Sequence, residues 1–369
     1  MDIEQISKDG FYLNKILPDV NNLALISLRS SLKAYFETYK SLHAPLKNVV
    51  ADTDDDSTIK NNFSITYVEK CCQSITNFHH FIELVLKDIL TAKHPLLAID
   101  VSKQHSTLHD LIFNIEVDQA EIEKTKLLEF SEALQRVVEL INSNKLDQTK
   151  YQFIADSKVW LTKLNTLRNR IAHRGVFVIK YKALDFLFGK FALPLLLKII
   201  SLPEYSSSHL WKYKRLSIEL DPIEEIINSF NSTSPRLYDT YERVALLKQL
   251  SVAAYNNPLI EKEVTPSGTW ITTFLEEFDK EEINRSKALS DYVEQNENVH
   301  KIDTCPVCGT KTLVHYNDYV DVEDEKGNTL EYFEIVYRVQ CFCCSFELKN
   351  EISQIDSMGL PICNFWNTV

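Results

Sequence analysis

The sequence predicts a mainly α protein with a small β module at its C-terminal end, and three observations support this fold class. Apolar residues recur at helical spacing through most of the 369 residues. Glycine and proline are scarce, with seven and 11 residues, and 44% of the chain is hydrophobic, so long helices and a large core are expected. Beyond residue 299, β-branched and aromatic residues replace the helical pattern and are flanked by two pairs of cysteines.

Hydrophobic periodicity divides the chain into four expected segments. Residues 1–59 should form an N-terminal helical segment with an acidic linker, residues 60–202 a helical bundle, residues 203–298 a helical middle region, and residues 299–369 the β module. The expected helices span residues 21–39, 65–92, 119–142, 151–174, 178–200, 222–230, 237–254 and 270–296. The helix at 178–200 should be kinked at Pro194, because proline cannot donate the backbone hydrogen bond of a helix interior.

The formal net charge of −12 is unevenly distributed along the chain. Residues 157–215 hold twelve Lys and Arg against two acidic residues, a local charge of +10 that leaves −22 for the remainder. A solvated helix face is the simplest explanation of such a run. Binding to the phosphates of a nucleic acid is the alternative, because that binding depends on local positive potential.

Several functional classes are excluded by the sequence. No apolar run is long enough to predict a membrane span, because residues 184–197 are interrupted by Asp185, Lys190 and Pro194. The acidic N-terminus lacks a signal-peptide pattern, so we expect a cytoplasmic protein whose eight cysteines stay reduced. The seven glycines never cluster, which excludes a dinucleotide or P-loop phosphate cradle.

The stretch Arg168-Asn169-Arg170-Ile171-Ala172-His173 lies near the start of the basic block. It places a fixed cation, a carboxamide and a titratable imidazole within six positions. On an ideal helix Asn169 and His173 are about 40° apart and can share a face, whereas Arg168 and His173 are about 140° apart. Two arrangements would bring them together. Either the helix ends near Arg174, with Gly175 in a left-handed conformation, or two protomers line one cleft.

This motif resembles that of the HEPN superfamily, whose ribonucleases carry an Arg followed four to six residues later by a His, often with Asn directly after the Arg. Residues 75–90 also resemble an early HEPN helix, with Glu83 and Lys87 inside an apolar run. The resemblance covers residues 60–202. It implies a HEPN-like bundle, a symmetric homodimer with a composite site, and a role as a toxin or antiviral-defence effector. A regulatory protein or antitoxin would then be a partner, and some family members pair with a nucleotidyltransferase.

The residue types of the motif fit RNA cleavage without a metal. RNA supplies its own nucleophile in the 2′-OH, so an enzyme needs a base, a proton donor for the leaving 5′-oxygen and a cation for the phosphorane. His173 would be the base or the acid, Arg168 would hold the phosphate, and Asn169 would orient His173 or the ribose. Three further cations, Lys163, Arg170 and Arg174, are expected to bind the RNA substrate. The expected activity is an endoribonuclease that leaves a 2′,3′-cyclic phosphate. The alternative is a non-catalytic RNA- or protein-binding module.

Two cysteine pairs near the C-terminus have the spacing of a structural metal site. Cys305 and Cys308 form one pair, and Cys341 and Cys344 form the other with the same spacing. Four thiolates at this spacing predict a closed zinc ribbon that stabilises the fold and needs no role in catalysis. Cys343 is an alternative fourth ligand to Cys344. The residues between the pairs predict a hairpin over residues 312–322 and 330–339, with a turn near Gly327.

Overall fold

The computed structural model describes residues 23–51, 56–100, 105–113, 126–213, 215–232, 237–259, 269–296, 298–323 and 329–366, together with Phe11, Leu13 and Ile115. The described helices are α1 (Ala24–Glu37), α2 (Leu46–Ala51), α3 (Asp56–Asn62), α4 (Ile65–Lys93), α5 (His105–Ile112), α6 (Phe130–Asn142), α7 (Gln148–Asp156), α8 (Lys158–Ala172), α9 (Tyr181–Leu187), α10 (Leu193–Ile200), α11 (Pro203–Ser206), α12 (Pro222–Asn231), α13 (Leu237–Asn256) and α14 (Thr269–Glu294). The strands are β1 (Val299–Thr304), β2 (Lys311–Glu323), β3 (Thr329–Cys341) and β4 (Glu347–Lys349). The predicted mainly α class with a small C-terminal sheet is confirmed.

The chain divides into two compact units that do not follow its linear order. The first unit contains residues 1–32, 72–177 and 195–211, and the second contains residues 33–71, 178–194 and 212–369. None of the described helices is long and apolar enough to cross a membrane.

The core of the first unit is formed by the apolar faces of long helices. Phe78, Ile82 and Leu86 follow one another at helical spacing on α4, and all three are buried. Helix α6 packs against both α7 and α8. The backbone N–H of Glu129 donates to Oε2 of Glu132 at 3.3 Å, which satisfies a free donor where α6 begins.

Two helix predictions in the first unit were wrong in their extent. The helix expected over residues 119–142 begins only at Phe130, and residues 119–125 lie outside the described part of the chain. The single helix expected over 151–174 is two helices, α7 and α8, which are separated by a turn at Ser157. The N–H of Ser157 is shared between the carbonyls of Phe153 and Ile154 at 3.2 Å and 3.1 Å, as is common at helix ends.

The second unit contains a widened helical turn where the sequence predicted a kink. The helix expected over 178–200 begins at Tyr181, and residues Phe188–Ala192 form a π-helical turn directly before Pro194. The wider turn accommodates a proline that cannot complete the hydrogen-bond ladder. Gly189 lies in this turn, and a Cβ at this position would be 2.0 Å from the ring of Phe230. Helix α12 can therefore approach the π-helical turn only because residue 189 has no side chain.

A buried ion pair joins two helices of the second unit. Nζ of Lys248 on α13 contacts Oδ1 of Asp185 on α9, and both side chains are fully buried. Lys248 Nζ also donates to Oγ1 of Thr38 at 2.9 Å and lies 4.4 Å and 4.2 Å from the ring centroids of Tyr35 and Tyr181. Burial raises the pKa of Asp185 and lowers that of Lys248. Removing either partner alone would leave a buried ionisable group without its counter-ion.

The sheet is antiparallel with the strand order β1-β2-β3-β4. Strands β2 and β3 confirm the predicted hairpin, with Val320 opposite Phe333, while the expected turn near Gly327 lies outside the described residues. Helix α14 packs against β1 and β2, and α13 packs against β4. The backbone N–H of Ser353 donates to Oε1 of Glu242 at 2.8 Å. The β module is therefore integrated with helices of the second unit.

Candidate functional site

The predicted motif lies at the C-terminal end of α8 in the first unit. Helix α8 ends at Ala172, and His173 is the C-cap residue, with its N–H donating to the carbonyl of Asn169 at 3.0 Å. Gly175 has a φ of +63°, and its N–H donates to the carbonyl of Ile171 at 3.1 Å. This left-handed residue ends the helix in the manner that glycine permits without steric cost.

Arg168, Asn169 and His173 converge within one chain. Nη1 of Arg168 donates to Oδ1 of Asn169 at 3.0 Å and lies 3.0 Å from Nε2 of His173. The first of the two expected arrangements is therefore present. Because a guanidinium is only a donor, Nε2 accepts this hydrogen bond, and the proton of the neutral imidazole lies on Nδ1.

The path of the Arg168 side chain explains this convergence. Residues Leu161, Leu164 and Ile171 form the buried stripe of α8, and Arg168 lies on the same stripe. Its Nε is buried and has no hydrogen-bond partner among the described residues. The stem thus lies along the apolar face while the guanidinium extends toward the exposed His173 at the helix end.

A second set of contacts fixes α8 against α4 and α6. Nε2 of His79 lies 2.8 Å from Oδ1 of Asn165, and Nδ2 of Asn165 donates to Oγ of Ser131 at 2.9 Å. The ring of His79 stacks on Phe130 with a centroid separation of 4.2 Å. Asn165 and Arg168 are three residues apart on α8, so these contacts set the position of the helix turn that carries the arginine.

His79 and Asn165 lie beside the motif, and the sequence pattern did not identify them as part of the site. Only 2% of His79 is exposed. Burial lowers its pKa to about 4; the nearby charge of Arg168 acts in the same direction, and the Asn165 hydrogen bond opposes it. Nδ1 of His79 lies 3.9 Å from Oε2 of Glu83, whose Oε1 accepts from Nζ of Lys87 at 2.6 Å. The spacing of three residues between Asn165 and Arg168 is the sequence signal that could have placed both on one face of α8.

The remaining predicted substrate-binding residues are exposed cations on or next to α8. Lys163, Arg170 and Arg174 all face solvent. Within the described part of the chain, no carboxylate forms an ion pair with these three residues or with Arg168. The guanidinium carbon of Arg170 lies 3.6 Å from the ring centroid of Phe177. The end of α8 therefore presents positive charge that is free to bind an anion.

Comparison with protein-family models, curated proteins and solved structures finds no match to this chain. The resemblance to HEPN ribonucleases accordingly remains a prediction that rests on the residues of the motif and of the helix around Glu83.

The four predicted metal ligands form a buried cluster in the second unit. The Sγ atoms of Cys305, Cys308, Cys341 and Cys344 all lie within 4.8 Å of one another. Cys305 and Cys344 are separated by 3.5 Å, and Cys308 and Cys341 by 3.6 Å. Tetrahedral coordination at a Zn–S distance of about 2.3 Å requires sulfur separations of about 3.8 Å. The cluster can hold a metal ion, and its donor set fits zinc.

Each cysteine pair belongs to a tight turn that directs both sulfurs to one point. The first turn lies between β1 and β2 and places Gly309 at a φ of +73°; the second lies between β3 and β4 and places Ser345 at +62°. Backbone N–H groups of Val307 and Cys343 donate to Sγ of Cys305 and Cys341 at 3.4 Å and 3.3 Å. Cys343 is buried beside the cluster but is not one of its four members.

Proposed function

We propose that this protein is a metal-independent endoribonuclease whose active site is formed by Arg168, Asn169 and His173. The observation that carries the proposal is the hydrogen bonding of one guanidinium to both Asn169 and His173 at an exposed helix end. The guanidinium has no carboxylate partner among the described residues, so it can donate hydrogen bonds to a phosphate.

The reaction follows from the chemistry of RNA. The 2′-oxygen attacks the adjacent phosphorus as its proton passes to Nε2 of His173, and the bond from phosphorus to the 5′-oxygen breaks. The products are a 2′,3′-cyclic phosphate and a 5′-hydroxyl end. Proton removal and phosphorane stabilisation by a positioned cation are the two contributions that the protein must make.

The order of events is constrained by the contact between Arg168 and His173. Nε2 cannot accept the proton of the 2′-OH while it accepts the hydrogen bond from Arg168. A bound phosphate offers the guanidinium a stronger, charge-assisted partner. Substrate binding would therefore draw Arg168 onto the phosphate and free Nε2 to act as the base.

Protonation of the leaving 5′-oxygen requires a second group. Nε2 of one His173 is committed to the 2′-OH, so we assign the acid to the imidazolium of His173 of a second copy, in the symmetric homodimer that the family resemblance implies. Its Nε2 carries the proton that passes to the 5′-oxygen, which requires that the Arg168 of that copy has also moved away from Nε2. The same resemblance suggests a toxin or antiviral-defence role, with a regulatory protein or antitoxin restraining the enzyme.

We assign zinc to the cysteine cluster as a structural ion. When bound, zinc would link the two cysteine turns and stabilise the small sheet. All four ligand positions are filled by thiolates, so the ion would have no open position for a substrate.

A binding module without catalysis is the second candidate. It is favoured by the same hydrogen bond, because a guanidinium that permanently occupies Nε2 would serve only to fix the end of α8. The two candidates differ in whether His173 is needed for any reaction.

The test is cleavage of several RNA classes in EDTA by the wild type and by His173→Ala. His80→Ala is the matched control, because His80 is an exposed histidine of the same unit that lies outside the motif, with its Nδ1 2.9 Å from Oγ of Ser27. The proposal expects cleavage by the wild type and the control but not by His173→Ala. Cleavage by all three would exclude His173 as the catalytic base, and cleavage by none would favour the binding module.

A further inference from the structure

Arg170 and Phe177 form a stacked pair on the exposed side of α8. The guanidinium carbon of Arg170 lies 3.6 Å from the ring centroid of Phe177, which is half-buried after the turn at Gly175. This is the distance of direct face contact between the cation and the ring. One face of the guanidinium is therefore covered by the ring, while Arg170 as a whole stays exposed.

Such a pair has the properties of a stacking surface for a nucleic-acid base. A guanidinium is planar, weakly hydrated and permanently charged, and bases stack on its face as they do on aromatic rings. Phe177 limits the rotamers of Arg170 before any ligand arrives, so less conformational freedom is lost on binding. No carboxylate among the described residues competes for this cation.

The position of the pair relates it to the proposed site. Lys163, Thr166, Arg170 and His173 are all exposed and follow one another at helical spacing along α8. Arg170 precedes His173 by three residues, a spacing that separates Cβ atoms by about 5–6 Å. A base on Arg170 would thus belong to a nucleotide next to the phosphate that His173 acts on.

We propose that the Arg170–Phe177 stack is a base-binding subsite that selects single-stranded RNA. The inference rests on the proposed function for its substrate class. In a duplex both faces of a base are covered by its neighbours, so only an unpaired, unstacked base can lie on the guanidinium.

The test measures binding by the His173→Ala variant of this chain, which leaves the RNA intact. Fluorescent single-stranded RNA is compared with the same strand in a duplex. The proposal expects tighter binding of the single strand and an affinity loss of about tenfold for Arg170→Lys, which keeps the charge but loses the plane. Arg285→Lys is the control, because Arg285 is an exposed arginine paired with Glu282 in the second unit.

A second readout separates stacking from charge. RNA carrying 2-aminopurine at successive positions should show one position whose fluorescence rises on binding the parent protein, because that base leaves its neighbours in the strand, and does not rise on binding Arg170→Lys. Phe177→Leu should give an intermediate loss, and thermal melting establishes which variants are folded. Equal binding of duplex and single strand, or equal affinity and an equal fluorescence change for the parent and Arg170→Lys, would overturn the inference.

The failure of this inference is distinguishable from the failure of the proposed function. If the wild type cleaves RNA in EDTA and Arg170→Lys has an unchanged KM for single strands, the subsite is wrong and the enzyme remains. If no RNA is cleaved but single strands bind through Arg170, the subsite remains and catalysis is wrong.

Discussion

Nη1 of Arg168 lies 3.0 Å from Nε2 of His173, although the two residues would project about 140° apart on an ideal helix. Two features bring them together. The long arginine stem follows the buried face of α8, and the helix ends at Ala172, so the imidazole is attached to the first residue beyond it. A single chain can therefore present both groups to one phosphate.

The proposed phosphate contact predicts that Arg168→Lys will lower kcat about 100-fold, with a smaller effect on KM. Lysine keeps the charge but loses the planar, bidentate geometry that matches a phosphate, and loss of a transition-state donor has effects of this size. Single-turnover cleavage in EDTA measures the change, with circular dichroism as the control for folding. A rate within twofold of the wild type would exclude Arg168 from the reaction.

The assignment of base and acid to two copies of His173 predicts a particular response to mixing. Wild-type protein and His173→Ala are mixed in varying proportions at constant total concentration, under conditions that permit subunit exchange. If each reaction requires both imidazoles, activity will follow the square of the wild-type fraction, because mixed dimers are inactive. Activity proportional to the wild-type fraction would mean that each chain acts alone.

Burial of His79 predicts a pH-dependent contribution to stability. Its pKa is about 4 in the folded protein, against about 6.5 when unfolded, so the unfolded state binds more protons between these values. The stabilising contribution is complete above about pH 6.5 and is lost as the pH falls toward 4. The loss of this contribution should lower the free energy of unfolding by about 2 kcal/mol as the pH falls from about 7 to about 5.

Urea unfolding of the wild type and His79→Gln measures this contribution. Glutamine can donate to Asn165 but does not titrate, so the variant should lose less stability on acidification. Burial also lowers the pKa of His315 to about 4, and this contribution is common to both proteins and cancels in the comparison. Parallel pH profiles for the two proteins would show that His79 does not titrate as described.

The geometry of the cysteine cluster predicts different metal contents for two adjacent substitutions. Cys344→Ser removes a member of the cluster and should abolish stoichiometric zinc binding, whereas Cys343→Ser should retain about one zinc per chain. Elemental analysis of purified protein measures the content, and chelation should lower the melting temperature of the wild type and Cys343→Ser alike. Retention of zinc by Cys344→Ser with loss from Cys343→Ser would reverse the ligand assignment.

Features with a strong local signal were predictable from the sequence. The apolar periodicity of residues 65–92 predicted α4 to within one residue, and the shared spacing of the cysteine pairs predicted the cluster, because both depend on local geometry. The break at Ser157 was not predictable. No glycine or proline marks it, and the bond from the Ser157 hydroxyl to the carbonyl of Phe153 has an equivalent at Thr162 inside α8, where the helix continues.

The candidate site was predictable in its residues but not in its contacts. The motif identified Arg168, Asn169 and His173, but ideal helix geometry ignored the reach of the arginine side chain. The contact between His79 and Asn165 joins residues 86 positions apart, so it depends on how α4 and α8 pack, which a local pattern does not specify. The stacking of Arg170 on Phe177 required the chain reversal at Gly175.

The proposed reaction is tested most directly by the chemical identity of the ends left when RNA is cut in EDTA. We expect 2′,3′-cyclic phosphate and 5′-hydroxyl ends from the wild type, and no cleavage of an otherwise identical oligonucleotide with a 2′-deoxy sugar at the cleaved position. Products with 5′-phosphate ends, or cleavage of the 2′-deoxy substrate, would mean that water or another group is the nucleophile and would contradict the assignment of the site.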